Sequence, residues 1–248
     1  MKARTTFRVV LLVVVLACSP STQGDTQEPR VLVFSKTAAF RHSSIEPGIA
    51  ALTARAAAEG VGLDATEDAA AFMGANLARY AAVVFLSTTG DVLGPAQQSA
   101  LEAFVRAGGG FVGIHSASDT EYGWPWYGEL VGAYFASHPP GIRTGTLLVA
   151  EPSHPATASL PSPWSRPDEW YDFRDVQPGL SVLLEIDESS YKTPDESPAP
   201  APRSIAWHRE FDGGRTFYTG LGHTEESWAD PLFLGHVWGG VTWVLAGR

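Results

Sequence analysis

Residues 81–87 read Ala-Ala-Val-Val-Phe-Leu-Ser, an apolar run with no polar residue before its end. A strand apolar on both faces belongs in the covered interior of a parallel sheet, not on a wet surface. The flanks repeat that logic. Upstream, Arg30-Val31-Leu32-Val33-Phe34-Ser35 is a second run of strand length, followed by the polar loop Lys36 to His42. Ser43-x-x-Glu46 with Pro47 predicts a capping box that opens a helix through about Glu59, ended by Gly60 and Gly62. A strand over 62–66 and a weaker helix over 73–80 lead into the central run. Downstream, Pro95 opens a third helix, Gly108-Gly109-Gly110 stops it, and Phe111 to Ile114 is the next buried strand. Strand, loop and helix alternate to about residue 132, which predicts an α/β fold with a doubly wound, mostly parallel sheet.

The C-terminal half departs from that rhythm. Strands are expected over 145–150, 180–186, 204–211 and 216–219, with few helices between them and a last helix over 231–245. Residues 189–202 (SSYKTPDESPAPAP) form a Pro-rich surface loop. The reading is one α/β domain over 30–248, with extra strands in its second half.

Composition narrows the function classes. The chain has 248 residues, 44% of them hydrophobic, and a net charge of −10, which argues against nucleic acid as a partner. Its single cysteine rules out a disulfide framework, a Cys-based zinc site and a redox CxxC pair. That cysteine is Cys18. Residues 1–17 hold Lys2, Arg4 and Arg8, no acid, and an apolar run from Val9 to Ala17. This reads as an export signal too short to span a bilayer. Val15-Leu16-Ala17-Cys18 resembles a lipobox, so Cys18 is the expected lipidation site and residues 18–29 a polar tether. The expectation is an exported envelope protein that meets the membrane only through its lipid. Loss of 1–17 removes three basic residues and no acid, taking the charge from −10 to −13.

In open parallel sheets ligands bind beyond the C-terminal strand ends. Three loops there are chemically rich: Phe40-Arg41-His42; Ser87-Thr88-Thr89-Gly90-Asp91; and His115 through Glu121, followed by Tyr122-Gly123-Trp124-Pro125-Trp126-Tyr127. Aromatic faces beside carboxylates and hydroxyls suit a sugar. Gly113-Ile114-His115-Ser116-Ala117 has the small–x–nucleophile–x–small pattern of a nucleophile elbow, with histidine at its centre. His115 can serve as general base or metal ligand, or simply tie loops together. In the second half, Asp168-Glu169-Trp170-Tyr171 sets two acids before two aromatics, and Gly220-Leu221-Gly222-His223 sets a histidine behind glycines. His138-Pro139 and His154-Pro155 look like loop turns, His208 like a strand residue, and His236 like core or cap. No HExxH, HxH or i,i+4 histidine pair is present, and the phosphate-loop and dinucleotide signatures are missing. No cofactor is evident, although a divalent metal assembled from distant loops stays admissible, as does a homo-oligomer.

The stretches FRHSSI, VVFLSTTGDVL, GGGFVGIHSASDTEYGWPWYGELVGAYF, HPAT, DEWYDF and WHREFDGGRTFYTGLGHTEESW resemble the trehalose-utilisation (ThuA-like) family, over about residues 30–246. The resemblance implies a flavodoxin-like fold of the class I glutamine-amidotransferase type. It also implies handling of disaccharides or their 3-keto derivatives in bacterial carbohydrate utilisation. Relatives of this fold with amidotransferase activity use cysteine at the elbow; here His115 stands there, so thiol glutaminase chemistry is excluded. The family's recurrent polar positions correspond to His42, Asp91, His115, Asp119, Glu121, Glu169 and His223.

Two functions are expected from this. The first is an enzyme in which His115 removes the C2 proton of a 3-keto-glycoside and His223 or Glu169 donates a proton. His42, Thr89, Asp91, Asp119, Glu121, Trp124, Trp126, Trp170 and Tyr171 would bind the sugar, the three tryptophans as a stacking platform. The alternative is a non-catalytic sugar-binding envelope lipoprotein.

Overall fold

The computed structural model describes residues 1–3, 28–196 and 199–247. The leader and Cys18 lie outside the described residues. Among the described residues no helix is long and apolar enough to cross a membrane.

Among the described residues nine strands form one sheet. Five are parallel: β1 (Arg30–Phe34), β2 (Gly62–Thr66), β3 (Ala82–Leu86), β4 (Gly110–Ile114) and, from the far end of the chain, β11 (Gly214–Thr219), in the order β2-β1-β3-β4-β11. That is the flavodoxin-like winding, with its switch point between β1 and β3. The sheet continues antiparallel through β10 (Arg203–Phe211), β9 (Ser181–Asp187), β6 (Arg143–Val149) and β7 (Trp164–Asp168). A separate ribbon pairs β5 (Tyr134–Ser137) with β8 (Asp172–Arg174).

Side-chain alternation along the strands builds two cores. Val31, Val33, Val84 and Leu86 pack under α1 (Ile45–Ala58) and α5 (Pro231–Leu245). Leu32, Phe34, Val83 and Phe85 pack on the opposite face, beneath the one-turn α2 (Gly74–Leu77), α3 (Pro95–Arg106) and α4 (Pro125–Val131). The predicted doubly wound sheet is therefore present. Its boundaries differ in detail. The helix after β1 begins at Ile45 with no side-chain cap, because Glu46 pairs with Arg41 instead of closing a capping box. The helix expected over 73–80 is a single turn. Strands β5, β7 and β8 and helix α4 fall in stretches for which the sequence predicts no element. β7 contains Pro167, which an edge strand tolerates.

The antiparallel extension curls. β7 lies four strand steps from β11, roughly 19 Å across a flat sheet. Yet Asp168 at the end of β7 accepts hydrogen bonds from the backbone N–H of Gly222 and His223, just past β11, at 3.0 and 3.1 Å. The far edge of the sheet thus returns to the C-terminal ends of the parallel strands and places the residues after Asp168 there.

Candidate functional site

Four side chains from four connections meet at that end of the sheet. His42 follows β1, His115 follows β4, His223 follows β11 and Glu169 follows β7. His115 begins a 3-10 turn with φ +51°, the left-handed backbone of a strained elbow. Gly113 and Ala117 have to be small for this turn: a Cβ at Gly113 would lie 3.0 Å from Tyr218 and 3.3 Å from the Ala117 methyl. The Tyr218 hydroxyl donates to the His115 carbonyl at 2.8 Å and bonds Ser118 at 2.9 Å, bracing the elbow from below. Gly222 (φ +107°) makes the equivalent turn before His223, and a Cβ there would meet the Phe233 ring at 2.8 Å.

The ring nitrogens converge. His115 Nε2 lies 3.1 Å from His223 Nδ1, which lies 3.1 Å from Glu169 Oε2; that oxygen is 3.6 Å from His115 Nε2. Glu169 Oε1 is 3.2 Å from His138 Nδ1. His42 packs edge-on to both other rings, with centroids 4.7 and 5.0 Å away, and its Nδ1 is 3.3 Å from Ser116 Oγ. His115 Nδ1 is 3.0 Å from the Gly220 carbonyl. A carbonyl only accepts, so Nδ1 carries a proton and Nε2 is the nitrogen that faces the cluster.

Electrostatics follow from burial and these contacts. Burial, aided by the neighbouring His115 and His223, pushes His42 down to about 3, so its ring is neutral. For Glu169 burial opposes ionisation, but hydrogen bonds and charge from His115 and His223 outweigh it and hold the carboxyl below its ordinary value. His223 is raised: burial resists its charge, and Glu169 more than compensates. Burial also raises the Asp119 carboxyl, against a hydrogen bond from the Tyr122 hydroxyl.

Above the cluster lies a cavity of about 220 Å³ lined by Phe40, His42, Asp119, His138, Glu169, Tyr171 and His223. A second cleft of about 320 Å³ shares Phe40, His42 and His223 and runs out over Ser43, Thr224 and Glu225. His115 is fully buried and lies under the floor, its ring tilted against Tyr171 with centroids 4.4 Å apart.

Of the residues singled out from sequence, His42, His115, Asp119, Glu169, Tyr171 and His223 come together here. The others do not line the cavity. Thr89 is buried; its hydroxyl donates to the Phe40 carbonyl and accepts from the Ala39 N–H, bracing the loop that carries His42. Glu121 is buried, and its carboxylate accepts from the Val92 and Leu93 N–H groups and the Gln98 amide. Asp91 is exposed outside the cavity.

The tryptophan platform is a misassignment. Pro125 opens α4 immediately after Trp124, and the two indoles stack on each other and leave the site, Trp124 bonding Glu102 and Trp126 bonding Asp212. Trp170 alternates with Glu169 and Tyr171 and so enters the core, donating to the Arg143 carbonyl. The aromatics actually on the cavity are Phe40 and Tyr171. His138, read as a loop turn, was missed: it follows β5, whose ribbon pairing with β8 has no alternating apolar signature. Asp168 was quoted without a role; it fixes the His223 backbone and also accepts from the Glu169 N–H.

The family model described as ThuA, trehalose utilisation, matches residues 30–244. Among solved structures, the chain is similar to a ThuA-like protein from Bacteroides uniformis, with 20% identity, a TM-score of 0.72, and 88% of this chain and 92% of that one covered. A ThuA-like protein from Parabacteroides merdae is 17% identical, with a TM-score of 0.67 and coverage of 90% and 91%. The fold also recurs within a β-galactosidase from Rahnella sp. R3, at 14% identity and a TM-score of 0.55, covering 89% of this chain and 32% of that one. No curated protein sequence matches the chain.

Proposed function

The chain belongs to the ThuA trehalose-utilisation family, and from that premise we propose that it is an enzyme cleaving the glycosidic link of a disaccharide, in particular of its 3-keto form. The observation that carries this reading is the convergence of His42, His115, Glu169 and His223, from four separate connections, at the base of one cavity, three of them lining it and His115 directly beneath. The cavity has room for one sugar ring. The adjoining cleft, which shares Phe40, His42 and His223, has room for the second. Exposed Phe40 offers its face to the sugar C–H groups where the two meet.

A ketone at C3 acidifies the C2–H bond. A lone pair of the basic floor accepts that proton, the C2–H electrons become the C1–C2 double bond, and the C1–O bond breaks. The departing oxygen takes a proton from Asp119, which lines the cavity and whose carboxyl is raised by burial against the Tyr122 hydrogen bond. His115 acts from beneath, holding the His223–Glu169 pair rather than touching the sugar. We further read the protein as an exported, Cys18-lipidated chain, which metabolic labelling with a fatty-acid analogue tests.

The decisive experiment incubates the protein with disaccharides and their 3-keto forms and resolves products by mass. Cleavage is expected, and Asp119→Asn and His223→Ala each lower it by about 100-fold. Saturable binding of the same sugars with no product on any of them would replace this reading with that of a sugar-binding protein.

A further inference from the structure

We propose that the floor of the cavity is a divalent-metal site, with His115 Nε2, His223 Nδ1 and Glu169 Oε2 as ligands and an open coordination face toward the sugar. The inference deepens the function proposed above and rests on the floor being the reaction centre. Three observations support it.

The first is convergence. His115 Nε2, His223 Nδ1 and Glu169 Oε2 all face one point, and His115 is oriented for this by its Nδ1 contact with the Gly220 carbonyl. Three buried potential ligand atoms brought this close need positive charge among them, which a metal ion supplies in place of the protons that hold them together without it. The second is spacing. Ligands about 2.1 Å from one ion are separated by about 3.0 Å at octahedral and about 3.4 Å at tetrahedral angles. The three separations here are 3.1, 3.1 and 3.6 Å. His42 is the fourth candidate donor, all four ligand atoms lying within 4.8 Å of one another. Its Nδ1 is already 3.3 Å from Ser116 Oγ, so the coordination set proposed is the other three, whose separations fit one ion.

The third is the surrounding support. Metal-bound histidines characteristically pass their second N–H to a carbonyl or carboxylate, as His115 does to Gly220. Asp168 grips the backbone N–H groups of both Glu169 and His223, fixing two ligands with one carboxylate. Imidazole and carboxylate donors without a thiolate select a first-row ion of the zinc class over Ca²⁺ or Mg²⁺. Three protein ligands with one open face is the catalytic arrangement, not the closed structural one. With the ion bound, the lone pairs of the floor are committed to it. The chemistry such an ion would supply is Lewis acidity beside the sugar ketone and a more acidic bound water in place of those lone pairs.

The test uses tag-free protein stripped with a chelator and titrated with Co²⁺, followed by calorimetry and visible absorption, then repeated with Zn²⁺. One equivalent per chain is expected, with d–d bands of a low-symmetry site. Glu169→Gln and His223→Ala each weaken binding by on the order of 100-fold or more, while His208→Ala, outside the cavity, leaves it unchanged. Circular dichroism verifies that each variant is folded. Absence of stoichiometric binding by the wild-type chain, or binding unchanged in the two ligand variants, overturns the metal site. Full sugar cleavage by the stripped protein sinks the metal and keeps the enzyme. Tight Co²⁺ binding with no cleavage of any sugar keeps the metal and sinks the enzyme.

Discussion

Among the described residues histidines meet a glutamate in two places, and these are built differently. At the cavity, His115, His223 and Glu169 turn their nitrogens and oxygen toward a common point. Beneath α5, His154 and His208 stack face to face with centroids 4.4 Å apart, and each answers to its own neighbour. His208 Nε2 bonds Glu151 at 3.0 Å, while His154 Nδ1 accepts from the Ala156 N–H at 3.1 Å. The remaining nitrogens, His154 Nε2 and His208 Nδ1, are buried without a partner. What separates the convergent cluster from the packed pair is therefore the direction in which the ring nitrogens face, set by backbone turns at His115 and Gly222, and not the residue types.

The largest test of that distinction exchanges one oxygen for nitrogen in each cluster. Glu169→Gln keeps the shape but removes the charge that organises His223, and kcat/KM for the keto-disaccharide should fall by about 100-fold or more. Glu151→Gln should change it by less than about twofold. Equal losses would show that the two clusters work as one, and the comparison would fail.

A smaller effect is expected one step removed, at Asp168. It is a positioning residue: its carboxylate holds the backbone of Glu169 and His223 and pairs with buried Arg166 at 3.3 Å. Asp168→Asn keeps one acceptor oxygen and leaves Arg166 to Asp230, 3.7 Å away. Stability should drop by about 2–3 kcal/mol, short of the full cost of a broken buried pair because that second partner remains. The informative readout is the division between kcat and KM. A loosened His223 lowers kcat about tenfold with KM nearly constant, whereas an unchanged kcat in the destabilised variant would leave Asp168 a purely structural residue.

The parallel half of the sheet could be read from sequence because its strands are apolar on both faces and its helices carry Pro and Gly at their ends. His42, His115 and His223 were legible for the same reason: each follows a strand whose C-terminal end is a known place for ligands. Glu169 was visible only as an acid among aromatics. Nothing local says that an edge strand four steps away curls back, since that depends on the twist of β10, β9, β6 and β7 together. The tryptophans misled for a complementary reason. Their composition suits a sugar, but α4 starts at Pro125 and points Trp124 and Trp126 toward Glu102 and Asp212. Residue type is written in the sequence; which way a side chain faces at a curled edge is decided by packing.

The smallest test separates the clusters by the sign of their response to acid, in chelator-treated protein. In the stacked pair, burial first and the His208 charge second push His154 down to about 4, from an ordinary 6.5. Above about pH 6.5 both folded and unfolded chains hold it neutral, so its full contribution is present. Between 6.5 and 4 only the unfolded chain takes up the proton, and stability is lost as pH falls. The cavity histidine behaves oppositely: His223 is raised by Glu169, so its contribution is complete below 6.5 and lost as pH climbs through its folded value. Denaturation midpoints measured from pH 7.5 to 4.5 should therefore fall less steeply with acid in His154→Asn, by on the order of 2 kcal/mol across the range. Asparagine preserves the acceptor for the Ala156 N–H. In His223→Ala the change belongs at the alkaline end, as a stability that no longer declines there. If His154→Asn instead retained the whole acid slope, His154 would be titrating freely, and it would not be the dry, neutral counterpart of the cavity cluster.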